Sequence, residues 1–175
     1  MPFIVANQQV ISFATTDDVR AIDSRIFESN EGLSEDVVDG ALIRSTERIL
    51  ASIRTTNWWK TYWIQQAGSA GSSQVIFGDT DIQVPPVDAN LILEGISDFT
   101  DMCCYFALSE YILPSVADFG NPDSAERQKI GFYDEKYRSL FQQVINRGDW
   151  YDFDGTGTVT ATEKRPVRTN LVRIR

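Results

Sequence analysis

Apolar residues recur every three or four positions in three long stretches of this chain, and Gly, Pro or a capping residue bounds each stretch. That period belongs to helices that bury one face, so the chain is expected to fold as a small, mainly α helix bundle. In the first stretch Ser34 stands as N-cap, Glu35 and Asp36 follow, and Val38, Leu42, Ile49 and Ile53 run on to about Thr55. In the second, Asp88 is placed to cap a long helix over 89–113. Its apolar residues are Leu91, Ile92, Ile96, Phe99, Cys103, Phe106, Leu108 and Ile112, and Pro114 should end it. In the third, Asp123 or Ser124 opens a helix carrying Ile130, Tyr133, Tyr137, Leu140, Phe141 and Val144, and Gly148 suits its C-terminal cap. A shorter helix, capped by Thr15 or Thr16 and begun by Asp17 and Asp18, carries Val19, Ile22 and Ile26 to a break at Gly32.

The rest of the chain reads as attachments to this bundle. Residues 1–14 are rich in Ile, Val and Phe and predict an extended arm or short strand. Residues 15–148 form the helical domain. Within it, residues 67–84 predict a Gly/Ser loop and a short hairpin insertion around Gly78-Asp79, stopped by Pro85-Pro86. Residues 149–163 predict an acidic turn and 164–175 a basic, extended docking tail. With 175 residues the chain is one domain, long enough to bury its own core.

Composition removes whole classes of chemistry. The chain has no His, which excludes a Ser-His-Asp triad, a Cys-His dyad and His-ligated zinc or haem. Its two cysteines, Cys103 and Cys104, are adjacent, so a bridge between them would be strained and a disulfide scaffold is ruled out. They read as small apolar residues on a core helix. Asp98, Asp101 and Glu110 share that helix and read as its solvated face, not as acid–base catalysts. No enzyme is expected. There is no signal-peptide start and no apolar run near the ~20 residues of a membrane span, so a soluble protein of a reducing compartment is expected.

Charge is unevenly placed. The chain carries 25 acidic and 16 basic side chains, net −9, and is a poor nucleic-acid binder on that ground. Yet residues 164–175 hold Lys164, Arg165, Arg168, Arg173 and Arg175 and no acid. That leaves 11 of the 16 basic residues against all 25 acidic ones elsewhere, a balance of −14. In TNLVRIR, Leu171, Arg173 and Arg175 alternate with Val172 and Ile174, the pattern of a strand. A lone strand after the last helix is suited to add to another surface, its own N-terminal arm or a partner subunit.

Two clusters carry chemistry. Trp58, Trp59, Tyr62 and Trp63 fall within seven residues, a density expected of core or subunit interface. Residues 152–163 fit the register of a calcium loop of the EF-hand type. Asp152 stands at position 1, Asp154 at 3, Thr156 at 5, Gly157 at 6, Thr158 at 7 and Glu163 at 12. Thr replaces a carboxylate at position 5, no second loop pairs with this one, and Pro166 blocks the usual exiting helix. A structural turn is therefore expected first. Calcium, if held, would be weakly bound by Asp152, Asp154 and Glu163, with Thr156 and Thr158 adding neutral oxygens. No other cofactor is expected.

The layout as a whole resembles the head–tail connector proteins (adaptor or head-completion proteins) of long-tailed bacteriophages. The segments that carry the resemblance are DVVDGALIRSTERILASIRTTNWW, LILEGISDFTDMCCYFALSEYILP, and EKYRSLFQQVINRGDW leading through an Asp/Gly turn into TNLVRIR. The resemblance implies a structural virion protein of the neck, assembled in the host cytoplasm as a homo-oligomeric ring, a dodecamer. That ring would dock beneath the portal protein and meet a tail or neck protein, with DNA passing through unbound. It implies a small bundle whose extended C-terminal segment contacts the portal, here through Arg168, Leu171, Val172, Arg173, Ile174 and Arg175. A single calcium-binding module is the alternative.

Overall fold

The computed structural model describes residues 3–30, 33–69, 84–118, 120 and 124–165. The expected hairpin insertion and the tail from Pro166 onward lie outside the described residues. The fold is a mainly α bundle with one short β hairpin.

The hairpin among the described residues is at the N-terminus. The expected extended arm turns back on itself as β1, Ile4–Ala6, and antiparallel β2, Gln9–Ser12. Asn7 and Gln8 make the turn at positive φ, a conformation that Asn tolerates better than most residues. Two hydroxyls moor the hairpin's exit. Thr46 of the third helix accepts the Phe13 N–H at 3.1 Å, and Thr100 donates to the Phe13 carbonyl at 2.9 Å. Phe3, Phe13 and Phe99 then pack together, with the Phe3 and Phe13 rings 4.7 Å apart.

The short helix expected after Thr15 is two helices, α1 Thr16–Ile22 and α2 Ser24–Ser29. Thr15 caps α1 in a full capping box with Asp18. A break comes earlier than expected, at Asp23, and α2 ends at Ser29. Asp23 leaves helical geometry and turns inward, where it accepts from Lys129 at 2.6 Å and from the Tyr133 hydroxyl at 3.1 Å. A carboxylate only 7% exposed needs such partners, and they outweigh helix continuity.

Helix α3, Glu35–Thr55, has the expected bounds, and Val38, Leu42, Ile49 and Ile53 are all buried. Helix α4, Asn57–Ser69, carries the aromatic run and continues through 67–69, where a loop was expected. The second long helix starts later than expected. Asp88 caps only a 3₁₀ turn, Ala89–Leu91, by accepting from the Asn90 N–H. Gly95 at φ +69 then opens α5, Ile96–Ala107. The rod goes on as a π-helical turn, Leu108–Ile112, and α6, Leu113–Val116. Pro114 thus does not stop the rod. It sits in the first turn of α6, where its missing N–H costs least, and the wider π turn precedes it.

Helix α7, Ala125–Arg147, is capped by Ser124 and closed by Gly148 at φ +57, as expected. It packs across α5 and the π turn. Between α3, α5 and α7 lies the core, including Leu42, Phe99, Met102, Leu108 and Leu113. Cys103 and Cys104 are buried and unbridged in it, and burial pushes the Cys103 thiol up to about 12. No helix among the described residues is long and apolar enough to cross a membrane.

Candidate functional site

After Gly148 the chain leaves the bundle as an irregular loop over 149–165, and aromatic side chains seat it. Trp150 is fully buried, with its indole N–H on the Val144 carbonyl at 3.0 Å. The Trp150 ring lies 4.9 Å from Trp58 and 5.0 Å from Phe99. Phe153 stacks on Tyr62 at 3.8 Å and packs against Trp58 and Trp59, both at 5.5 Å. Trp59 is fully buried within the chain and donates to the Pro85 carbonyl at 3.1 Å. Trp58 and Trp63 are half-buried. The α4 aromatics are therefore the bed on which the acidic loop lies. The sequence shows Trp150, Tyr151 and Phe153 but gives no spacing that ties them to Trp58–Trp63.

The loop brings Asp152, Asp154 and Glu163 together. One carboxylate oxygen from each lies within 4.8 Å of the others, the convergence expected for positions 1, 3 and 12. Backbone amides already serve all three, Asp154 through the Thr156 N–H at 3.1 Å. Asp152 accepts from the N–H groups of Gly155 at 2.8 Å, Thr156 at 3.3 Å and Gly157 at 2.7 Å. Glu163 accepts from Phe153, Asp154 and Thr160 N–H groups at 2.6, 3.0 and 2.8 Å, and from the Thr160 hydroxyl at 2.8 Å. Burial pushes both carboxyls up, but these hydrogen bonds to the charged forms outweigh it and hold both below the usual carboxylate range. Thr156 donates its hydroxyl to the Thr158 carbonyl at 3.2 Å, so the two neutral oxygens assigned to a cation face each other instead. Glu163 and Lys164 N–H groups return to the Thr160 carbonyl, a single helical turn before the Pro. These hydrogen bonds, all from the chain's own groups, organise the loop as a folded turn.

Its end is clamped. Arg165, the last described residue, donates its N–H to the Gly148 carbonyl at 2.8 Å. Its own carbonyl accepts from the Trp58 indole at 2.9 Å, and its guanidinium lies 4.9 Å from the Tyr62 ring centre. Gly148 is required here twice over. Its φ is positive, and a Cβ would collide with the Arg165 carbonyl and come within 2.7 Å of the Trp58 nitrogen. The sequence identified Gly148 as a cap but not as the floor of this clamp. The predicted docking residues Arg168, Leu171, Val172, Arg173, Ile174 and Arg175 lie outside the described residues.

Comparison with protein-family models found no match, and neither did comparison with curated proteins or with solved structures.

Proposed function

We propose that this chain is a structural virion protein, a head–tail adaptor that forms a ring between portal and tail and acts without catalysis. The observation that carries this reading is the clamp at Arg165. A buried aromatic bed, a self-satisfied acidic turn and a required glycine all serve to fix the point from which a basic, strand-patterned tail departs an acidic body. Such a root gives a docking segment a defined starting position and lowers the entropy lost when it binds. An acidic ring wall also suits a channel that DNA must slide through, because it repels phosphate. The test is co-purification with portal rings, comparing the full chain with a chain ending at Arg165. The full chain should be retained and the shortened one lost, with unchanged helical circular dichroism. Equal retention of both would remove the docking role of the tail.

A second reading, a calcium-binding module, is favoured by the convergence of Asp152, Asp154 and Glu163. Three carboxylates without a paired loop predict weak affinity, roughly 10⁻⁴ to 10⁻³ M. Titration calorimetry with calcium on the wild type and on Glu163→Gln decides it. No heat at millimolar calcium removes this reading, and micromolar affinity with a large conformational change would place it ahead of the adaptor.

A further inference from the structure

The β hairpin has one side covered and one side open. β2 lies against α3 and the 3₁₀ turn. The outer edge of β1 pairs with no described residue, since the sheet holds β1 and β2 alone. Val5 on that strand is 56% exposed, and Ala6 is exposed beside it. The register irregularity falls on β2, where Ile11 is the extra residue, so β1 itself stays regular. Open edges are usually defended by a very short strand, a charge, a Pro or a bulge. β1 is only three residues long, but it carries no charge, Pro or bulge, and residues 1–14 contain no charged side chain. The edge is chemically fit to accept another strand.

The ground beside it is acidic. Thr100 touches the hairpin through the Phe13 carbonyl, and the next residue, Asp101, is exposed with no ion pair among the described residues. Asp98 stands three residues earlier on the same helix, and Asp18 accepts from the Thr15 N–H at 2.8 Å just past the hairpin; partial burial and these two acids push the Asp101 carboxyl up. Of these, Asp98 is bridged to Arg147 at 2.8 Å.

One segment of the chain matches both features. In the sequence, residues 169–175 alternate with period two, so a strand there would carry Val172 and Ile174 on one side and Leu171, Arg173 and Arg175 on the other. We infer that the open edge of β1 receives the tail strand 169–175 of a neighbouring copy, placing Val172 and Ile174 beside Val5 and the arginines toward the acidic flank. This rests on the ring reading above and takes the tail's docking surface to be the neighbouring copy and not the portal itself, so that losing the tail loses portal binding by losing the ring. A strand passed from each copy to the next is a heterologous contact, the kind that closes into a ring. Ten residues beyond Arg165 span about 33 Å when extended, enough to cross to an adjacent subunit.

The test mixes two full-length variants, each with one added cysteine. One carries Val5→Cys. The other carries Leu171→Cys, Val172→Cys or Arg173→Cys in turn, because the register of the added strand is not fixed in advance. Cys103 and Cys104 are buried and serve as the silent background. Mild oxidation should link the two variants to each other at one tail position, and the wild type should give no linked species. A chain lacking 169–175 should lose ring formation about tenfold or more. Linkage seen only within a third variant that carries both cysteines in one chain, and not between the two single variants, would mean that the tail folds on its own arm, and would overturn the inference. Rings without linkage, or rings formed equally well without the tail, would overturn it and leave the ring reading standing. A full-length chain that forms no ring, alone or on portal, would overturn both.

Discussion

Replacing Trp59 by Ala removes the one fully buried Trp that α4 contributes to the aromatic bed. Trp59 is fully buried, and its ring lies 4.9 Å from Tyr151, 5.5 Å from Phe153 and 5.7 Å from Trp63. Truncating a buried Trp costs about 3–5 kcal/mol through lost burial and the cavity left behind. The Pro85 carbonyl also loses its indole donor, a net contribution of about 1 kcal/mol that falls partly within that range. The expected loss is therefore about 4 kcal/mol. For a chain of this length that corresponds to a fall in Tm of about 8–16 °C. Guanidinium unfolding followed by far-ultraviolet circular dichroism measures it, with the exposed neighbour Lys60→Ala as control, expected within about 0.5 kcal/mol of wild type. A loss below about 1.5 kcal/mol for Trp59→Ala would mean that the bed does not hold the loop.

Gly148→Ala meets both a positive φ and a blocked Cβ position, and should cost about 2 kcal/mol or more by the same unfolding assay; wild-type stability would refute the clamp. Asp23→Ala leaves Lys129 and Tyr133 without their acceptor and should cost about 2–3 kcal/mol, whereas Lys129→Met, whose ammonium is partly exposed, should cost under about 1.5 kcal/mol. Equal losses would mean that Asp23 is not the hub. Asp152 and Glu163 are held below their ordinary values of 3.8 and 4.5, so the unfolded chain takes up protons first as pH falls. Their stabilisation is complete above about pH 5 and fades as pH drops through and below those values. The stability gap between wild type and Glu163→Gln should therefore be widest near neutral pH and shrink toward pH 3 in urea titrations; a gap independent of pH would contradict the hydrogen-bonded carboxylate.

The helices with a one-sided apolar stripe were legible because burial alone determines them. Val38, Leu42, Ile49 and Ile53 are enough to define α3, and Ser124 with Gly148 defines α7. The breaks were less legible because tertiary contacts decide them. Nothing local to Asp23 announces that it will find Lys129 and Tyr133 more than a hundred residues away. The start of α5 was misplaced for a similar reason. Leu91 and Ile92 are apolar at helical spacing, yet their backbone is taken up by the loop. Asp152 donates its N–H to the Leu91 carbonyl at 2.9 Å, and Ile92 bridges to Tyr151. The acidic loop itself was legible in its register, since Asp152, Asp154 and Glu163 do converge. What the sequence hid was how fully Gly155, Gly157 and Thr160 supply N–H groups to those carboxylates, because every residue type but proline offers the same backbone donor.

The adaptor reading makes its most direct claim about assembly on a portal. Electron microscopy of the purified full-length chain mixed with portal rings tests it. The account predicts a second ring stacked coaxially on the portal, lost when residues 166–175 are removed. Portal rings that remain bare at every concentration of added chain, with the chain staying at its monomer mass of 19.7 kDa, would contradict it.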